Sequence, residues 1–390
     1  MKILTFTSLF PNNVWSHHGV FVKERMVAVS QLPGYEVQVV APVPYWPPIN
    51  LTHRQQFRKV VTKETIEGIT VHHPRYLMIP KMGMSLHGWL MYKTVLTYVQ
   101  RLEKSYPFDV IDAHYVYPDG YAGVLLGAHF RRPVVVSARG SDVNQFASFY
   151  CIRKFLSYTL RHASHAIAVC DALKQAMIPL GSRQDATTVI PNGVDPHKFF
   201  PMPQDEARRQ LDLPSRKIIL SVGGLIPRKG FDLLIKSFRQ VTEKKKEKLL
   251  LVIVGEGPER VPLQQLVTRM QLNDQVRFGG DIAHSDLYRW YSAADLFCLA
   301  SSREGWPNVV LEAMACGTPV VATSIWGTPE IISSPTVGLL TERNEDALAK
   351  TLEEGLLKSW DRERIVQFAR EHDWGHVAQS CAEVFQSVHA

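Results

Sequence analysis

The sequence lacks the cysteine pattern of a disulfide framework or of a structural zinc site. Its 390 residues contain five cysteines, an odd number, and none of them forms a C-x-x-C pair. Long hydrophobic runs are also missing. The opening "MKILTFTSLF" is too short for a signal peptide, and "LLLVIVG" from Leu249 is too short to span a bilayer. We therefore expect a cytoplasmic protein in a reducing compartment.

Acidic residues are scarce in the first half of the chain. Residues 1–195 contain 20 Lys and Arg against 12 Asp and Glu, a surplus of +8, whereas the remainder holds 24 against 25. Such a surplus is either ordinary solvated surface or a face for an anionic membrane, an acidic substrate or nucleic acid. The basic half contains no recognised nucleic-acid motif, so we expect no nucleic-acid partner.

Short β-branched runs alternate with helical stretches along both halves, which predicts an α/β fold with parallel sheets. The length indicates two domains of about 150 to 200 residues, and the four prolines at positions 191, 196, 201 and 203 mark a linker. We predict Rossmann-like domains at 1–195 and 196–371. Strands are expected to begin at Lys2, Glu36, Asp109, Pro133, Ala166, Thr187, Lys217, Leu249, Val276, Ala294 and Pro319.

The stretch from Pro42 to Arg101 departs from this alternation. It contains "PVPYWPPIN", the basic "HRQQFRKVVTK", and a segment from Tyr76 to Arg101 that mixes aromatic residues and methionines with cations. A helix lying in a membrane interface has this composition, and so has a helix that packs on a sheet. Both interpretations stay open at this point.

Two glutamates, Glu304 and Glu312, flank a predicted helix start. "ADLFCLAS" indicates a buried strand, "SREGWP" the loop after it, and "NVVLEAMAC" a helix that begins near Asn308 and ends at Gly317. Ligands of open parallel sheets bind beyond the carboxyl ends of strands, and the amides of a helix start attract anions. Carboxylates around an anion site suit a sugar phosphate, because its hydroxyls need acceptors while its phosphates need donors.

Adjacent cations, Arg228 and Lys229, follow the first strand of the second half. They lie in "SVGGLIPRKGFDLLIKSF", between the strand end at Gly223 and Gly224 and a helix that Gly230 allows to begin. Arginine offers a bidentate fork and lysine a mobile point charge, so the pair suits a diphosphate.

Two glycine-containing loops are weaker signals. "VIVGEGPER" has a G-x-G at Gly255 but lacks the third glycine of a dinucleotide fingerprint, so it is poor evidence for a nicotinamide enzyme. In "NNVWSHHGVFVKE", Gly19 could bring its backbone close to a phosphate, and a simple turn glycine explains it nearly as well.

Several motifs resemble the retaining glycosyltransferases of family 4, also called the glycosyltransferase group 1 type. In the second domain they are "VGGLIPRKGFDLL", "VGEGPER", "VRFGGDIAHSDLYRWYSAADLFCLASSREGWPNVVLEAMACGTPVVAT" and "GTPEII". The resemblance continues more loosely through "DAHYVYPDGYAG", "RGSD" and "VIPNGVD" in the first domain. It implies a GT-B architecture, in which two Rossmann-like domains face each other across a cleft, and a terminal helix at 372–390 that crosses back to the first domain.

The resemblance also implies roles for individual residues. The donor would be a nucleotide-diphosphate sugar, and no metal or other cofactor is expected. Glu304 would bind the sugar hydroxyls and Glu312 the ribose hydroxyls, while cations neutralise the diphosphate. The catalytic candidates are Glu304, Arg228, Lys229 and His114. The donor-site candidates are Gly19, Gly224, Gly255, Val276, Glu304, Gly305, Asn308, Val309 and Glu312, with the backbone near Val276 holding the base, and the acceptor-side candidates are His114, Arg139 and Asp142.

Two positions depart from the family pattern. Gly224 lies where the family often has arginine, so we expect Arg228 to substitute for it. Arg139, in "SARGSD", lies where many relatives have a histidine, whereas His114 lies at another strand end near the expected cleft.

The expected function is sugar transfer with retention to an acceptor hydroxyl, in exopolysaccharide, cell-envelope polysaccharide or glycolipid assembly. A lipid-linked or anionic acceptor would suit the basic first domain, which could also contact the inner face of the cytoplasmic membrane. A GT-B nucleotide-sugar epimerase and a noncatalytic nucleotide-sugar-binding protein would share the donor site.

Overall fold

The computed structural model describes residues 1–45, 53–78, 84–244 and 249–389. Its backbone contacts divide the chain into two compact units. Unit 1 comprises Met1–Asn192 and Trp374–Ala390, and unit 2 comprises Gly193–Asp373. These divisions lie within three residues of the boundaries expected from the sequence.

Unit 1 is built on a sheet with eight strands in the part of the chain that the structure describes. The strands of unit 1 are β1 (Lys2–Phe6), β2 (Glu36–Val40), β3 (Val43–Tyr45), β4 (Lys63–Ile66), β5 (Ile69–His72), β6 (Arg75–Leu77), β7 (Val110–His114), β8 (Val134–Ala138), β9 (His165–Ala168) and β10 (Thr187–Val189). The large sheet has the order β10-β9-β8-β7-β1-β2-β5-β4, and β4 is antiparallel to β5. Strands β3 and β6 form a separate parallel pair.

The helices of unit 1 pack their apolar sides on the strands. Those before the linker are α1 (Val20–Ser30), α2 (His87–Ser105), α3 (Tyr121–Phe130), α4 (Ser141–Asn144), α5 (Tyr150–His162) and α6 (Asp171–Met177). Helix α1 buries Val22, Met26 and Val29 in the same cluster as Ile3 of β1. Their spacing of three to four residues places these side chains on one face of the helix, so the sequence period itself directs the packing.

Helix α2 overlaps the aromatic and basic segment from Tyr76 to Arg101 and continues to Ser105. Residues 79–83 of that segment lie outside the described residues. The helix buries a face with helical spacing, so it packs on the unit, as one of the two sequence interpretations predicted. The buried residues are Gly88, Met91, Val95, Val99 and Leu102. Trp89, at its start, remains 45% exposed.

Unit 2 contains a sheet of six parallel strands among its described residues, with the order β13-β12-β11-β14-β15-β16. The strands are β11 (Ile218–Val222), β12 (Leu250–Val254), β13 (Val276–Gly280), β14 (Leu296–Leu299), β15 (Val320–Thr323) and β16 (Gly338–Thr341). The helices are α7 (Gln204–Gln210), α8 (Phe231–Lys244), α9 (Arg260–Arg269), α10 (Leu287–Ala293), α11 (Asn308–Ala315), α12 (Thr328–Ile331), α13 (Glu345–Leu357) and α14 (Arg362–Arg370). Every residue of β11, β12, β14 and β15 is buried, as expected for strands covered on both faces.

The terminal helix α15 (Trp374–His389) belongs to unit 1. The Tyr35 hydroxyl donates to the Ala382 carbonyl at 3.3 Å and accepts from Gln386 Nε2 at 3.0 Å. Cys381 and Phe385 are buried in the cluster that contains the α1 side chains. The last residue of the predicted 372–390 helix, Ala390, lies outside the described residues.

Each large sheet has one point at which the strand order reverses. In unit 1 it lies between β1 and β7, and in unit 2 between β11 and β14. The loops that leave the carboxyl ends of such strands diverge, and the crevice between them is where open α/β sheets bind ligands. Within the described residues, no helix combines the length and apolar character that crossing a bilayer requires.

Candidate active site

Two loops meet at the strand-order reversal of unit 2. The loop after β11 carries Arg228 and Lys229 in a short 3₁₀ turn, and Gly230 ends the turn with a φ of 68°. A Cβ atom on Gly230 would lie 2.2 Å from the carbonyl oxygen of Ala300, which follows β14, so the approach requires glycine. The amide of Ser302 donates to the Arg228 carbonyl at 2.8 Å, which holds the two loops together.

The carboxylate of Glu304 binds both cations. Oε1 accepts hydrogen bonds from Lys229 Nζ and from Ser301 Oγ, each at 2.7 Å, and Oε2 accepts from Arg228 Nη1 at 3.1 Å. Glu304 is only 8% exposed. We call Arg228, Lys229, Ser301 and Glu304 the Glu304 cluster. The structure thus brings together the three residues that the sequence assigned to a sugar and its diphosphate.

The environment of Glu304 keeps its carboxyl group charged. Burial by itself raises the pKa of Glu304, because it disfavours the ionised form. Lys229 and Arg228, with the hydrogen bonds from Lys229 and Ser301, outweigh burial, and the pKa lies below its ordinary value. The carboxylate is therefore ionised at neutral pH, which suits binding of hydroxyl groups rather than donation of a proton.

Glu312 lies on α11 and is 6% exposed. Its Oε2 accepts from the Tyr291 hydroxyl at 2.8 Å, and its Oε1 lies 3.1 Å from His284 Nε2. Burial, followed by the negative charge of Glu312, raises the pKa of Tyr291 well above its ordinary value. The Tyr291 hydroxyl therefore keeps its proton and donates a hydrogen bond to Glu312, which orients the carboxylate.

A helix start lies between the two glutamates along the chain. Gly305 is buried in the loop, and Asn308 is the first residue of α11, followed by Val309. The positive end of the helix dipole lies there, and Glu312 is the fifth helical residue, just over one turn further on. The helix start that the predicted anion site requires is therefore present at Asn308. That it binds an anion stays a prediction.

Gly224 and Gly255 also lie at this edge of the sheet, in the loops after β11 and β12. The two loops pack backbone to backbone. A Cβ atom on Gly255 would lie 2.0 Å from the Gly223 carbonyl oxygen, and Leu225 donates its amide to the Glu256 carbonyl at 2.9 Å. The glycine at 255 is therefore required for loop packing, whether or not a ligand approaches it.

Val276 is not brought to this edge. It is the first residue of β13, is buried in the unit 2 core, and lies at the amino end of the parallel sheet. Since a strand rises about 3.3 Å per residue, Val276 lies about 13 Å from the carboxyl end of its own strand. The residue of β13 at the ligand edge is Gly280, whose carbonyl accepts from the Gly255 amide at 2.8 Å. Val276 itself is therefore away from the ligand edge, and a base contact at the Gly280 end of the strand is a prediction.

The acceptor-side candidates lie at the carboxyl ends of β7 and β8 in unit 1. His114 ends β7 and is fully buried. Its Nε2 lies 2.7 Å from Asp112 Oδ2, and its Nδ1 contacts Arg139 Nη2. Because a carboxylate only accepts and a guanidinium only donates, Nε2 carries the proton and Nδ1 accepts. Both ring nitrogens have hydrogen-bond partners, so His114 positions Arg139 in this geometry. The catalytic, acceptor-side role expected for His114 stays a prediction.

Arg139 is held by a second acceptor. Its Nη1 donates to Asn192 Oδ1 at 2.8 Å, and Arg25 Nη2 donates to the same oxygen at 3.3 Å. Arg139 is 9% exposed, and burial, followed by the charge of Arg25, lowers its pKa well below the ordinary value. The guanidinium group is thus fixed at the edge where the expected histidine would lie.

Asp142 and Gly19 have contacts that hold loops in place. The carboxylate of Asp142 is fully buried and accepts from the backbone amides of Val116 and Gly140, each at 2.8 Å, and of Arg139 at 3.1 Å. It therefore joins the loops after β7 and β8. Gly19 is the N-cap of α1 and lies against the backbone of Leu9. A phosphate contact for Gly19 stays a prediction.

The buried His114 predicts a pH-dependent stability. Burial lowers its pKa to about 4, and Arg139 adds to this effect while Asp112 opposes it. The ordinary pKa is 6.5, so between pH 6.5 and pH 4 the unfolded chain binds a proton at His114 and the folded chain does not. Proton binding therefore stabilises the unfolded state, and the contribution of His114 to stability is lost as the pH falls through this range. The free energy of unfolding of the wild type relative to His114→Gln should fall by about 2 kcal/mol between pH 7 and pH 5. Urea unfolding of both proteins at the two pH values measures it.

Asp119 supplies a control of opposite sign. Burial raises its pKa to about 7, so its folded form holds a proton that the unfolded chain releases above pH 3.8. The free energy of unfolding of the wild type, measured relative to that of Asp119→Asn, should therefore rise as the pH falls from 7 to 5. An unchanged difference between the wild type and His114→Gln over this range would contradict the assignment of His114 as a neutral buried group.

Several residues of these sites were not predicted from the sequence. They are Tyr291, His284 and Ser301 in unit 2, and Asp112, Arg25 and Asn192 in unit 1. Asp112 could have been predicted as a partner of His114, because side chains two residues apart on a strand point to the same face. Ser301 follows its strand directly. Tyr291 lies on a helix that the chain reaches two elements before α11, and local sequence does not link it to Glu312.

Two family models match the chain in succession. Residues 31–198 match Glycosyltransferase Family 4, and residues 203–372 match Glycosyl transferases group 1. A Bacillus subtilis (strain 168) protein named as the teichuronic acid biosynthesis glycosyltransferase TuaC is 28% identical over 363 residues, which cover 90% of this chain and 88% of that protein. A glycosyltransferase of Methanocaldococcus jannaschii is 27% identical over 83% of this chain and 86% of its own length.

Solved structures share the fold across the whole chain. Sucrose-phosphate synthase from Thermosynechococcus elongatus has a TM-score of 0.77 at 20% identity, covering 99% of this chain and 98% of that one. HepE of Anabaena, solved in complex with UDP and glucose, has a TM-score of 0.74 at 22% identity and covers 99% of each chain. At these identities the likeness concerns the fold, whereas the family models match the sequence itself. The chain therefore belongs to the group 1, or family 4, glycosyltransferases, and its fold is that of the GT-B enzymes.

Proposed function

We propose that this glycosyltransferase moves a sugar from a nucleotide-diphosphate sugar to an acceptor hydroxyl with retention of configuration and without a metal ion. The observation that carries the proposal is the Glu304 cluster at the strand-order reversal of unit 2. There a buried, ionised carboxylate lies between Lys229 and Arg228, and a second buried carboxylate, Glu312, follows on the helix that begins next. Cations for phosphates and carboxylates for hydroxyls are the two kinds of group that a sugar nucleotide needs.

The proposed chemistry is electrostatic. As the bond between the sugar and the diphosphate breaks, negative charge grows on the leaving phosphate and positive charge on the sugar. Lys229 and Arg228 stabilise the leaving phosphate, and because Glu304 already holds them in place, they need little rearrangement during the reaction. Glu304 orients the sugar hydroxyls, and the departing phosphate accepts the proton of the acceptor hydroxyl on the same face.

Glu312 would hold the ribose. Its carboxylate is oriented by the Tyr291 hydroxyl and lies beside His284, which leaves further lone pairs of the two oxygens for ribose hydroxyls. Because this contact is equally strong before and during the reaction, it should lower the KM for the donor rather than raise kcat.

The relatives support the choice of donor and pathway. HepE was solved with UDP and glucose, which favours a UDP-sugar here, and the TuaC relative is named for teichuronic acid biosynthesis, which favours an envelope polysaccharide. A lipid-linked or anionic acceptor also agrees with the surplus of +8 in residues 1–195.

A donor screen followed by product analysis tests the proposal. At a concentration of 100 times Kd, the correct donor stabilises the protein by about 2.7 kcal/mol, which should raise Tm by roughly 2 to 4 °C in a screen of UDP-, GDP- and ADP-sugars. With that donor and 10 mM EDTA, we expect transfer at an unchanged rate, and NMR of the product should show the anomeric configuration of the donor. An inverted product, or loss of activity in EDTA that added Mg²⁺ restores, would contradict the proposal. Epimerised donor formed without any acceptor would indicate an epimerase instead.

A further inference from the structure

Exposed aromatic and apolar side chains collect at the starts of two helices in unit 1. Met84, Leu86 and Trp89 lie at the start of α2, and Phe149 and Tyr150 at the start of α5. Tyr150 is 72% exposed, and the other four are between 39% and 49% exposed. Side chains of this kind on one surface usually mark a binding face.

An aromatic cluster joins the two helix starts. The ring of Tyr117 stacks on Phe155 of α5 at 5.6 Å, and the Tyr117 hydroxyl donates to the Met84 carbonyl at 2.5 Å. Tyr121 packs on Phe155 at 5.0 Å and on Tyr158 at 5.5 Å. The turn that holds Met84 and Leu86 therefore lies against α5. We call residues 84–93 and 149–162 the α2–α5 surface.

The charge of the α2–α5 surface has one sign. Residues 84–93 and 149–162 contain no Asp or Glu and contain four cations, and the sequence has no acidic residue anywhere from 143 to 170. The cations are Lys93, Arg153, Lys154 and Arg161. Three of them line a shallow groove along α5 together with Tyr150, Ser157 and Tyr158. Lys154 Nζ lies 4.7 Å from the Tyr150 ring centre, so charge and aromatic surface alternate.

We propose that the α2–α5 surface docks the protein on a bilayer that contains anionic lipids. Aromatic rings settle at the headgroup level of a bilayer, where one side is apolar and the other wet, and lysine and arginine bind the headgroup phosphates. The exposed Met84 and Leu86 favour a bilayer over nucleic acid, because a phosphate backbone provides no apolar surface on which these side chains can be buried. Since most of α2 packs inward, the docking face consists of the start of α2 and the outer face of α5, and not of the whole segment from Tyr76 to Arg101.

This surface extends the proposed function, because it would bring unit 1 to a lipid-linked acceptor. Vesicle binding itself needs neither donor nor sugar transfer, so its failure and the failure of the proposed function can be told apart. Binding is measured without nucleotide, and donor binding is measured without vesicles.

Cys151 offers a reporter within the surface. It is exposed, whereas the other four cysteines are buried, so a maleimide fluorophore such as NBD will label the full-length protein on α5. We expect the emission of this label to shift to the blue and to rise with vesicles of 70% phosphatidylcholine and 30% phosphatidylglycerol. Pure phosphatidylcholine vesicles should give little change, and 0.5 M NaCl should reverse most of the effect. No change with the anionic vesicles would overturn the proposal, and a response to single-stranded RNA alone would assign the surface to nucleic acid.

A charge-matched pair of variants localises the binding. In Arg153→Glu/Lys154→Glu, the partition coefficient of the unlabelled protein into the anionic vesicles should fall about tenfold or more, since each basic residue near the surface contributes about 1 kcal/mol. The control Arg209→Glu/Arg269→Glu makes the same change of net charge on exposed positions of unit 2 and should stay within about twofold of the wild type. An equal loss in both variants would show a general charge effect and would overturn the assignment to α5. Both variants should keep the wild-type thermal shift with the donor.

Discussion

Replacing Glu304 with glutamine is expected to lower kcat for sugar transfer by about 10² to 10³, the range found when one preorganised polar group of an active site is removed. Glutamine has the same shape but no charge, so Lys229 and Arg228 lose the anion that fixes them. The carboxamide also presents one acceptor oxygen to the sugar hydroxyls where the carboxylate presents two. Initial rates with the donor identified by the thermal screen measure the effect.

A matched control for Glu304→Gln is available in the same unit. Glu345 forms an ion pair with Lys236 at 3.2 Å, and both side chains are exposed, so Glu345→Gln makes the same chemical change outside the candidate site. We expect its kcat to equal that of the wild type, because exposed ion pairs contribute little. Melting curves should show that Glu304→Gln is folded at the assay temperature. A folded Glu304→Gln variant with a rate within threefold of the wild type would remove Glu304 from the mechanism.

Replacing Lys229 with alanine is expected to lower kcat by a similar factor of about 10² to 10³, since the leaving diphosphate would keep only Arg228 as a cationic partner. The change should also alter the pH dependence. In the wild type the two cations and their hydrogen bonds hold the pKa of Glu304 below its ordinary value against the opposing effect of burial. Without Lys229, fewer groups offset the effect of burial, and the pKa of Glu304 rises. On acidification, the activity of Lys229→Ala should therefore begin to fall at a higher pH than the activity of the wild type.

Two further variants separate charge from general disruption at position 229. Lys229→Arg keeps a cation and should retain more activity than Lys229→Ala, although a planar guanidinium does not reproduce the lysine geometry. Lys236→Ala removes the exposed partner of Glu345 and should leave kcat unchanged. If Lys229→Ala raised only the KM for the donor and left kcat and its pH profile intact, Lys229 would bind the ground state without stabilising the leaving group.

Much of the fold could be predicted from the order of residues. Fully buried strands such as β11 and β14 are continuous apolar runs, and each ends in small or polar residues that begin a loop. Strands β3, β4, β5 and β6, which lie between Pro42 and Arg101, were not predicted from the sequence, and neither was β16. These are short elements of three or four residues with mixed burial, and their pairing partners decide whether they form at all.

Some residues of the candidate site could be predicted from the sequence and others could not. Glu304, Arg228 and Lys229 could be identified because each lies directly after a recognisable strand, and parallel topology brings such positions to one edge. Val276 was assigned to the site through its motif, yet it is the first residue of its strand and therefore lies at the amino end of the parallel sheet, away from the edge that carries Glu304. Tyr291 could not be predicted as the partner of Glu312, since the two meet only through the packing of α10 on α11.

The surroundings of His114 could not be predicted from the sequence, because they come from residues that meet only in the folded protein. The family resemblance, the α/β alternation and a histidine at a strand end could be predicted, because they depend on local motifs and on the hydrophobic period. Whether that histidine exchanges protons depends on what surrounds its two ring nitrogens. Asp112 and Arg139 contact one ring nitrogen each, and Arg139 follows the neighbouring strand, 25 residues further along the chain. Protonation and hydrogen-bond partners are set by burial and by groups distant in sequence, and these exist only once the chain has folded.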